Sequence, residues 1–156
     1  MDTLELLVLV QACCAWFMTG LIWVIQLVHY PLMARVGEAS WVDYQRSHMS
    51  RISWIVAPVM LIEAASCGLE LAMMILGDSQ MNSLAGTLWA HGLLASLLLV
   101  VWCSTWLLQV PAHHALSTRI DTQVIRRLVV TNWVRTVAWS TRAVVLGLML
   151  GSLISR

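Results

Sequence analysis

Four long apolar segments follow one another along the chain, and the residues between them carry most of its charge. The segments extend over about residues 4–28, 52–76, 84–110 and 128–154. Each is long enough, at roughly 20 residues or more, for a helix to cross a hydrocarbon layer about 30 Å thick. The pattern predicts an all-α, polytopic membrane protein in which residues 1–156 form a single domain, a bundle of four transmembrane helices.

The composition of the chain and the motifs that it lacks exclude several classes of function. Hydrophobic residues make up 60% of the 156 residues and charged residues 11%, and the mean hydropathy is +0.79. A soluble domain is about 45–50% apolar and about a quarter charged. The net charge is only +1 and no basic stripe is present, which argues against nucleic acid as a partner. The glycine motifs of phosphate-binding loops, dinucleotide-binding folds and esterases are also absent from the sequence.

The positions of the arginines predict the orientation in the membrane. Six arginines lie between the first and second or between the third and fourth apolar segments, namely Arg35, Arg46, Arg51, Arg119, Arg126 and Arg127. The opposite side has only the terminal Arg156. Because basic residues concentrate on the cytoplasmic side, we expect both termini to be periplasmic in a bacterial inner membrane.

The two longer connections are predicted to form helical extensions into the cytoplasm. Ser40, with Asp43 three residues later, has the pattern of a helix N-cap. Asp121 can cap a helix that continues to residue 154, and at 1.5 Å per residue this helix would be about 50 Å long. Residues 77–80, Gly-Asp-Ser-Gln, predict a tight turn between antiparallel second and third spans.

Ionisable residues inside the spans are candidates for pairing or for function. Counted at 1.5 Å per residue, Glu63 and Arg142 both lie roughly 20 Å from the outer ends of their helices. Glu70 and His91 both lie about 10 Å from the outer surface by the same count. Each pair is either a buried contact that fixes helix register or part of a site. In a site, Glu63 would be an acid or base, while Arg142 and His91 would hold a substrate anion or a cofactor.

The same depth count brings four histidines together near the cytoplasmic membrane surface: His29, His48, His113 and His114. Converging imidazoles suit a transition metal ion such as Fe, Cu or Zn. Two facing imidazoles, with His91 or His29 opposite His113, would instead ligate a haem iron. Histidines that contact only water or phosphate at the interface are the third interpretation. The sequence contains no local metal-binding spacing that would decide among them.

Two stripes of hydrogen-bonding and aromatic side chains are predicted on helix faces. Residues spaced three and four apart share one face of a helix. The stripe on the fourth helix comprises Asn132, Arg135, Trp139 and Arg142. The stripe on the third helix comprises Trp102, Trp106, Gln109 and His113. Deep tryptophans such as Trp106 either pack helices or line a pocket for a ring-bearing lipophile. Tryptophans near span ends fit an aromatic belt, namely Trp41, Trp54, Trp89 and Trp133.

Three strings carry a resemblance to known proteins: Val-His-Tyr-Pro at 28–31, Gln-Val-Pro-Ala-His-His-Ala-Leu at 109–116, and Thr-Asn-Trp-Val-Arg-Thr at 131–136. They resemble small bacterial four-helix membrane proteins. More distantly, a proline-containing segment after the third span, followed by Trp and Arg on the fourth, is similar to the anthrone-oxygenase-like family. The resemblance implies oxidation of a lipophilic or aromatic compound with dioxygen. The doubled His113-His114 is where we expect a departure from that family's pattern.

These observations give three functional hypotheses. The first is a small membrane oxidoreductase or oxygenase-like enzyme that acts on a lipophilic or aromatic substrate. In it, histidines bind a metal, Asn132 and Arg135 orient the substrate, Glu63 is acid or base, and His91, Trp106 and Arg142 contact a cofactor. The second is a haem-binding electron-transfer subunit. The third is a cofactor-free structural subunit that binds lipid or helices of a larger membrane complex, or that forms a homo-oligomer.

Overall fold

The computed structural model describes residues 2–76 and 88–155, and within these residues the regular structure is entirely helical. We number four continuous helices. Helix α1 comprises Thr3–Val24, a π-helical turn Ile25–His29 and a last turn Tyr30–Met33; α2 is Glu38–Ile75. Helix α3 comprises Leu88–Ser104, a π-helical turn Thr105–Gln109 and Val110–Leu116; α4 is Thr122–Ile154. All four are long and apolar enough to cross a membrane, which confirms the all-α, four-helix membrane bundle.

The helices extend beyond the apolar segments on one side. We call this side the arginine end, because Arg35, Arg46, Arg51, Arg119, Arg126 and Arg127 lie there. As predicted, Asp121 caps α4: its side chain accepts hydrogen bonds from the backbone of Gln123 and Val124. The cap predicted at Ser40 is wrong, since α2 begins at Glu38 after the extended Gly37 and no side chain caps it. The predicted turn at 77–80 lies outside the described residues.

The two π-helical turns have a common local cause. Each π-helical turn ends two residues before a proline. The turn in α1 is followed by Tyr30-Pro31, and the turn in α3 by Val110-Pro111. A proline ring collides with the carbonyl four residues earlier in a regular helix and has no N–H to donate. Within the π turns the backbone N–H of Tyr30 reaches the carbonyl of Ile25, five residues back. This wider turn lets each helix continue through its proline.

The order of the helices around the bundle leaves one gap. Helices α1 and α4 pack along each other at the centre, α2 packs on α1, and α3 packs on α4. Helices α2 and α3 make little contact with each other in the described residues. Three buried clusters fill the bundle, around Trp41 and Leu128 at the arginine end, Met18 and Trp139 in the middle, and Ala15 and Leu146 at the other end. The gap between α2 and α3 positions the candidate site.

The tryptophans near the span ends do not all face the membrane. Trp54, Trp89 and Trp133 are exposed on the surface of the bundle, where an aromatic belt would place them. The prediction is wrong for Trp41, which is buried in the core of the arginine end. Its indole N–H donates to the carbonyl of Leu116 at 2.7 Å. Trp41 thereby ties the start of α2 to the last turn of α3.

Candidate functional site

A cavity of about 410 Å³ occupies the gap between α2 and α3. Helix α1 forms part of its wall through Met18, Ile22 and Tyr30, and α4 contributes Arg135 and Trp139. Two further lining residues, Leu61 on α2 and Trp106 on α3, are more than half exposed at the surface of the bundle. The cavity therefore opens sideways, towards the hydrocarbon layer that would surround these helices.

Polar groups concentrate at the end of the cavity nearest the arginine end. Tyr30, His48, Gln109, His113 and Arg135 line the cavity there. The deeper wall, towards the middle of the bundle, is formed by apolar and aromatic side chains, namely Met18, Ile22, Met60 and Trp139. An apolar cavity with a few convergent polar groups is the usual form of a small-molecule site.

Arg135 is the central cation of the polar end and is only 8% exposed. Its Nε donates to Oδ1 of Asn132 at 3.0 Å, and its Nη2 contacts the same oxygen. The Tyr30 hydroxyl lies near the guanidinium, which is also 5.9 Å from the centroid of the Trp139 ring. Asn132 is held in turn, because its Nδ2 donates to Oε1 of Gln26 at 2.7 Å. The guanidinium is thus fixed by neutral partners.

A glutamine fixes the orientation of His113. Nε2 of Gln45 lies 3.1 Å from Nδ1 of His113 and also donates to the His113 carbonyl at 3.4 Å. An amide nitrogen only donates, so Nδ1 of His113 is the acceptor in this contact. With the Gln45 amide in this orientation, which its bond to the His113 carbonyl favours, the proton of the neutral imidazole resides on Nε2. No acceptor for this N–H is found among the described residues, so it can donate to a molecule in the cavity.

The structure brings three of the four predicted histidines together. The rings of His29 and His48 stack with centroids 4.2 Å apart and an interplanar angle of 20°, and His48 lies 6.0 Å from His113. His48 and His113 line the cavity, whereas His114 is exposed on the outside of α3. Among the described residues, no group of three or more His, Cys, Asp or Glu side chains is arranged to hold a metal ion. The metal site therefore stays a prediction from the sequence.

Two polar atoms of cavity-lining residues are buried without a hydrogen-bond partner in the described part of the chain, the indole nitrogen of Trp102 and Oε1 of Gln109. The Gln109 amide cannot simply be turned around. Its Nε2 donates to Oγ1 of Thr131 at 3.0 Å, and the Thr131 hydroxyl itself donates to the Arg127 carbonyl. One donor and one acceptor are thus unpaired among the described residues, both shielded behind the surface of the cavity wall.

A separate buried network crosses the bundle beyond the cavity, on the side away from the arginine end. As their matched depths predicted, Arg142 and Glu63 pair: Nε of Arg142 donates to Oε1 of Glu63 at 2.9 Å. Arg142 also contacts the Leu94 carbonyl. Nδ1 of His91 lies 2.9 Å from Oε1 of Glu70, which confirms the second predicted pair. Gln11 joins the two pairs, donating to Glu70 at 2.8 Å and contacting Arg142 at 3.4 Å.

This network accounts for several residues that were predicted to belong to a site. Glu63, His91 and Arg142 are buried and are not among the residues that line the cavity. Glu63 is linked to the cavity wall by Trp139, whose indole nitrogen donates to Oε2 of Glu63 at 3.1 Å while its ring forms part of that wall. Trp106 and Arg135 do line the cavity, and Asn132 orients Arg135 from behind.

Sequence reasoning did not single out Gln11, Tyr30 or Gln45 as functional positions. Gln11 had a usable signal, because an amide within an apolar run must find a partner inside a membrane. Gln45 and Tyr30 lie in polar or aromatic surroundings in the sequence, so their contacts with His113 and Arg135 become evident only in three dimensions.

No family model, curated protein or solved structure matches this chain. The geometry of the cavity therefore carries the functional argument. A cation and an N–H donor at the polar end of an apolar cavity stabilise negative charge on an oxygen atom, whether a ligand brings that charge or develops it in a reaction.

Proposed function

We propose that this membrane protein binds a lipophilic, ring-bearing compound that enters from the bilayer between α2 and α3. The observation that carries the proposal is the cavity of about 410 Å³, which opens sideways and has its polar groups at one end. The apolar part of the compound lies along Met60, Trp106 and Trp139, and its polar head reaches His113 and Arg135. Pockets of a few hundred Å³ that combine apolar walls with a few fixed polar groups suit small molecules of this kind.

Aromatic walls favour a ring in the bound compound. Trp102, Trp106 and Trp139 line the cavity from two helices, and flat side chains offer a large contact area to a flat ligand. A compound that partitions into the hydrocarbon layer needs no aqueous route to this opening. The proposal retains the lipophilic or aromatic substrate expected from the sequence, and oxidation of that substrate, a bound metal and a bound haem stay predictions.

Photolabelling in lipid nanodiscs tests this function. The probes are a benzoic acid that carries a diazirine in an attached alkyl chain, and the methyl ester of the same compound. We expect at least one of them to label peptides of α2 and α3 around Met60 and Trp106, in a saturable manner that the unlabelled compound blocks. Ala57 lines the cavity, and Ala57→Trp fills it, so this labelling is lost.

Ala65→Trp is the matched control, because Ala65 is exposed on the same helix and is not among the residues that line the cavity. It keeps the labelling of the unaltered protein. Labelling that fails to saturate, or that survives Ala57→Trp at full strength, overturns the proposed function, since the probes would then report only the lipid-facing surface.

We also propose that the arginine end faces the cytoplasm of a bacterial cell and that both termini are periplasmic. The support is the excess of arginines in the two connections at that end. Reporter fusions at residue 155 test it: alkaline phosphatase fused there is active, and a cytoplasmic fluorescent protein is dark. The reverse result overturns the orientation.

A further inference from the structure

We propose that the compound bound in the cavity is a lipophilic monoanion, such as a ring-bearing carboxylic acid, and that Arg135 holds its charge. This inference rests on the proposed function and specifies the ligand's chemistry. It starts from the charges around the cavity rather than from the cavity's shape.

Arg135 is a buried cation that no carboxylate of the described residues neutralises. A guanidinium does not lose its proton in proteins. Among the described residues, Glu63 forms an ion pair with Arg142, Glu70 contacts the His91 imidazole, and no carboxylate pairs with Arg135. A buried charge is costly unless it is paired. Its protein partners are an amide oxygen, a phenol and an aromatic ring, which solvate the cation and do not neutralise it.

His113, at the same end of the cavity as Arg135, also favours an anion, because its Nε2–H is a donor. Among the residues that line the cavity, the described chain contributes no Asp or Glu. A carboxylate or phenolate entering this end accepts from the guanidinium and from His113, and charge-assisted bonds of this kind are strong.

The paired probes described above, acid and methyl ester, test the charge. In nanodiscs of uncharged phosphatidylcholine at pH 8, we expect the acid to bind roughly tenfold more tightly than the ester or better. Arg135→Gln reduces this acid-to-ester affinity ratio to about that of an uncharged site. Arg126→Gln leaves the ratio unchanged, because Arg126 is exposed on the same helix and outside the cavity. Partition into the lipid is identical for all variants, so it cancels in the comparison.

The outcomes separate this inference from the function beneath it. Equal binding of acid and ester by the unaltered protein overturns the anion proposal and leaves the lipophile-binding function standing; this comparison needs no variant to fold. An acid preference that persists in Arg135→Gln shows that another group holds the charge and also overturns the proposal. If probe binding does not saturate and is also unaffected by Ala57→Trp, both the anion proposal and the lipophile-binding function are overturned.

Discussion

Arg142 on α4 and Glu63 on α2 form an ion pair at 2.9 Å, and both side chains are completely buried. Glu63 also accepts from the Trp139 indole, and Arg142 contacts Leu94 and Gln11, so the pair is bonded to the remaining helices as well. An ion pair satisfied in this way fixes the register of all the helices at one depth. Its integrity governs the stability of the bundle.

Removing one partner of this pair strands a buried charge. We expect Glu63→Ala to lower the free energy of unfolding by about 3–5 kcal/mol, and Arg142→Met by a similar amount. The double variant Glu63→Ala/Arg142→Met loses less than the sum of the two, because it leaves no unpaired charge. Thermal unfolding in detergent measures these changes, in proteins whose exposed Cys13 and Cys103 are replaced by Ala, with a thiol-reactive dye that reaches the buried Cys14 and Cys67 on unfolding.

Arg126→Met serves as the control, since Arg126 is exposed and a surface change is usually worth no more than about 0.5 kcal/mol. Strictly additive effects of Glu63→Ala and Arg142→Met would contradict an energetic coupling between the two side chains.

The second buried pair should respond to the chemistry of the substitution. Glu70 contacts Nδ1 of His91 at 2.9 Å and accepts from Gln11. His91→Ala deprives the carboxylate of one contact, and we expect a loss of about 1–3 kcal/mol in the same unfolding assay. His91→Gln restores an N–H donor and recovers part of that loss. If His91→Gln is as unstable as His91→Ala, packing of the ring rather than its polar contact with Glu70 stabilises this region.

Both pairs could be predicted because depth in a membrane helix follows from residue number. Each residue adds a fixed 1.5 Å, so counting along the sequence places Glu63 level with Arg142 and Glu70 level with His91. The stripe of Asn132, Arg135, Trp139 and Arg142 is likewise buried as its spacing indicates. The depth of a residue and the helix face on which it lies are local properties, so both can be predicted from residue spacing in the sequence.

Depth does not reveal which helices are neighbours around the bundle. The cavity exists because α2 and α3 stand apart, and nothing in the apolar pattern distinguishes this pair from any other. The π turns add a second difficulty, since each wider turn changes the direction in which the following residues project. His29 and His113 lie at or after such turns, and their contacts with His48 and Gln45 could not be derived from a regular helical spacing.

An internal carboxylate should replace the proposed ligand's charge. Asn132 presents Oδ1 to Arg135, so Asn132→Asp puts a carboxylate of nearly the same shape against the guanidinium. We expect this variant to lose its preference for the acid over the ester while still binding the ester, because Arg135 is then already neutralised. Photolabelling with the two probes measures the ratio. An acid preference equal to that of the unaltered protein would show that Arg135 does not set it.

The hydrogen bond from Trp41 to Leu116 predicts a stability effect at the arginine end. Trp41→Phe keeps most of the buried ring but leaves the Leu116 carbonyl, 2.7 Å from the indole nitrogen, without this donor. An unsatisfied buried polar group costs about 1–3 kcal/mol, so the unfolding temperature falls. Trp54→Phe is the matched control: Trp54 is 82% exposed on the same helix, and its change leaves that temperature nearly unaltered. Equal unfolding temperatures of the two variants would mean that α2 and α3 are held together by apolar packing around Trp41 and not by its bond to Leu116.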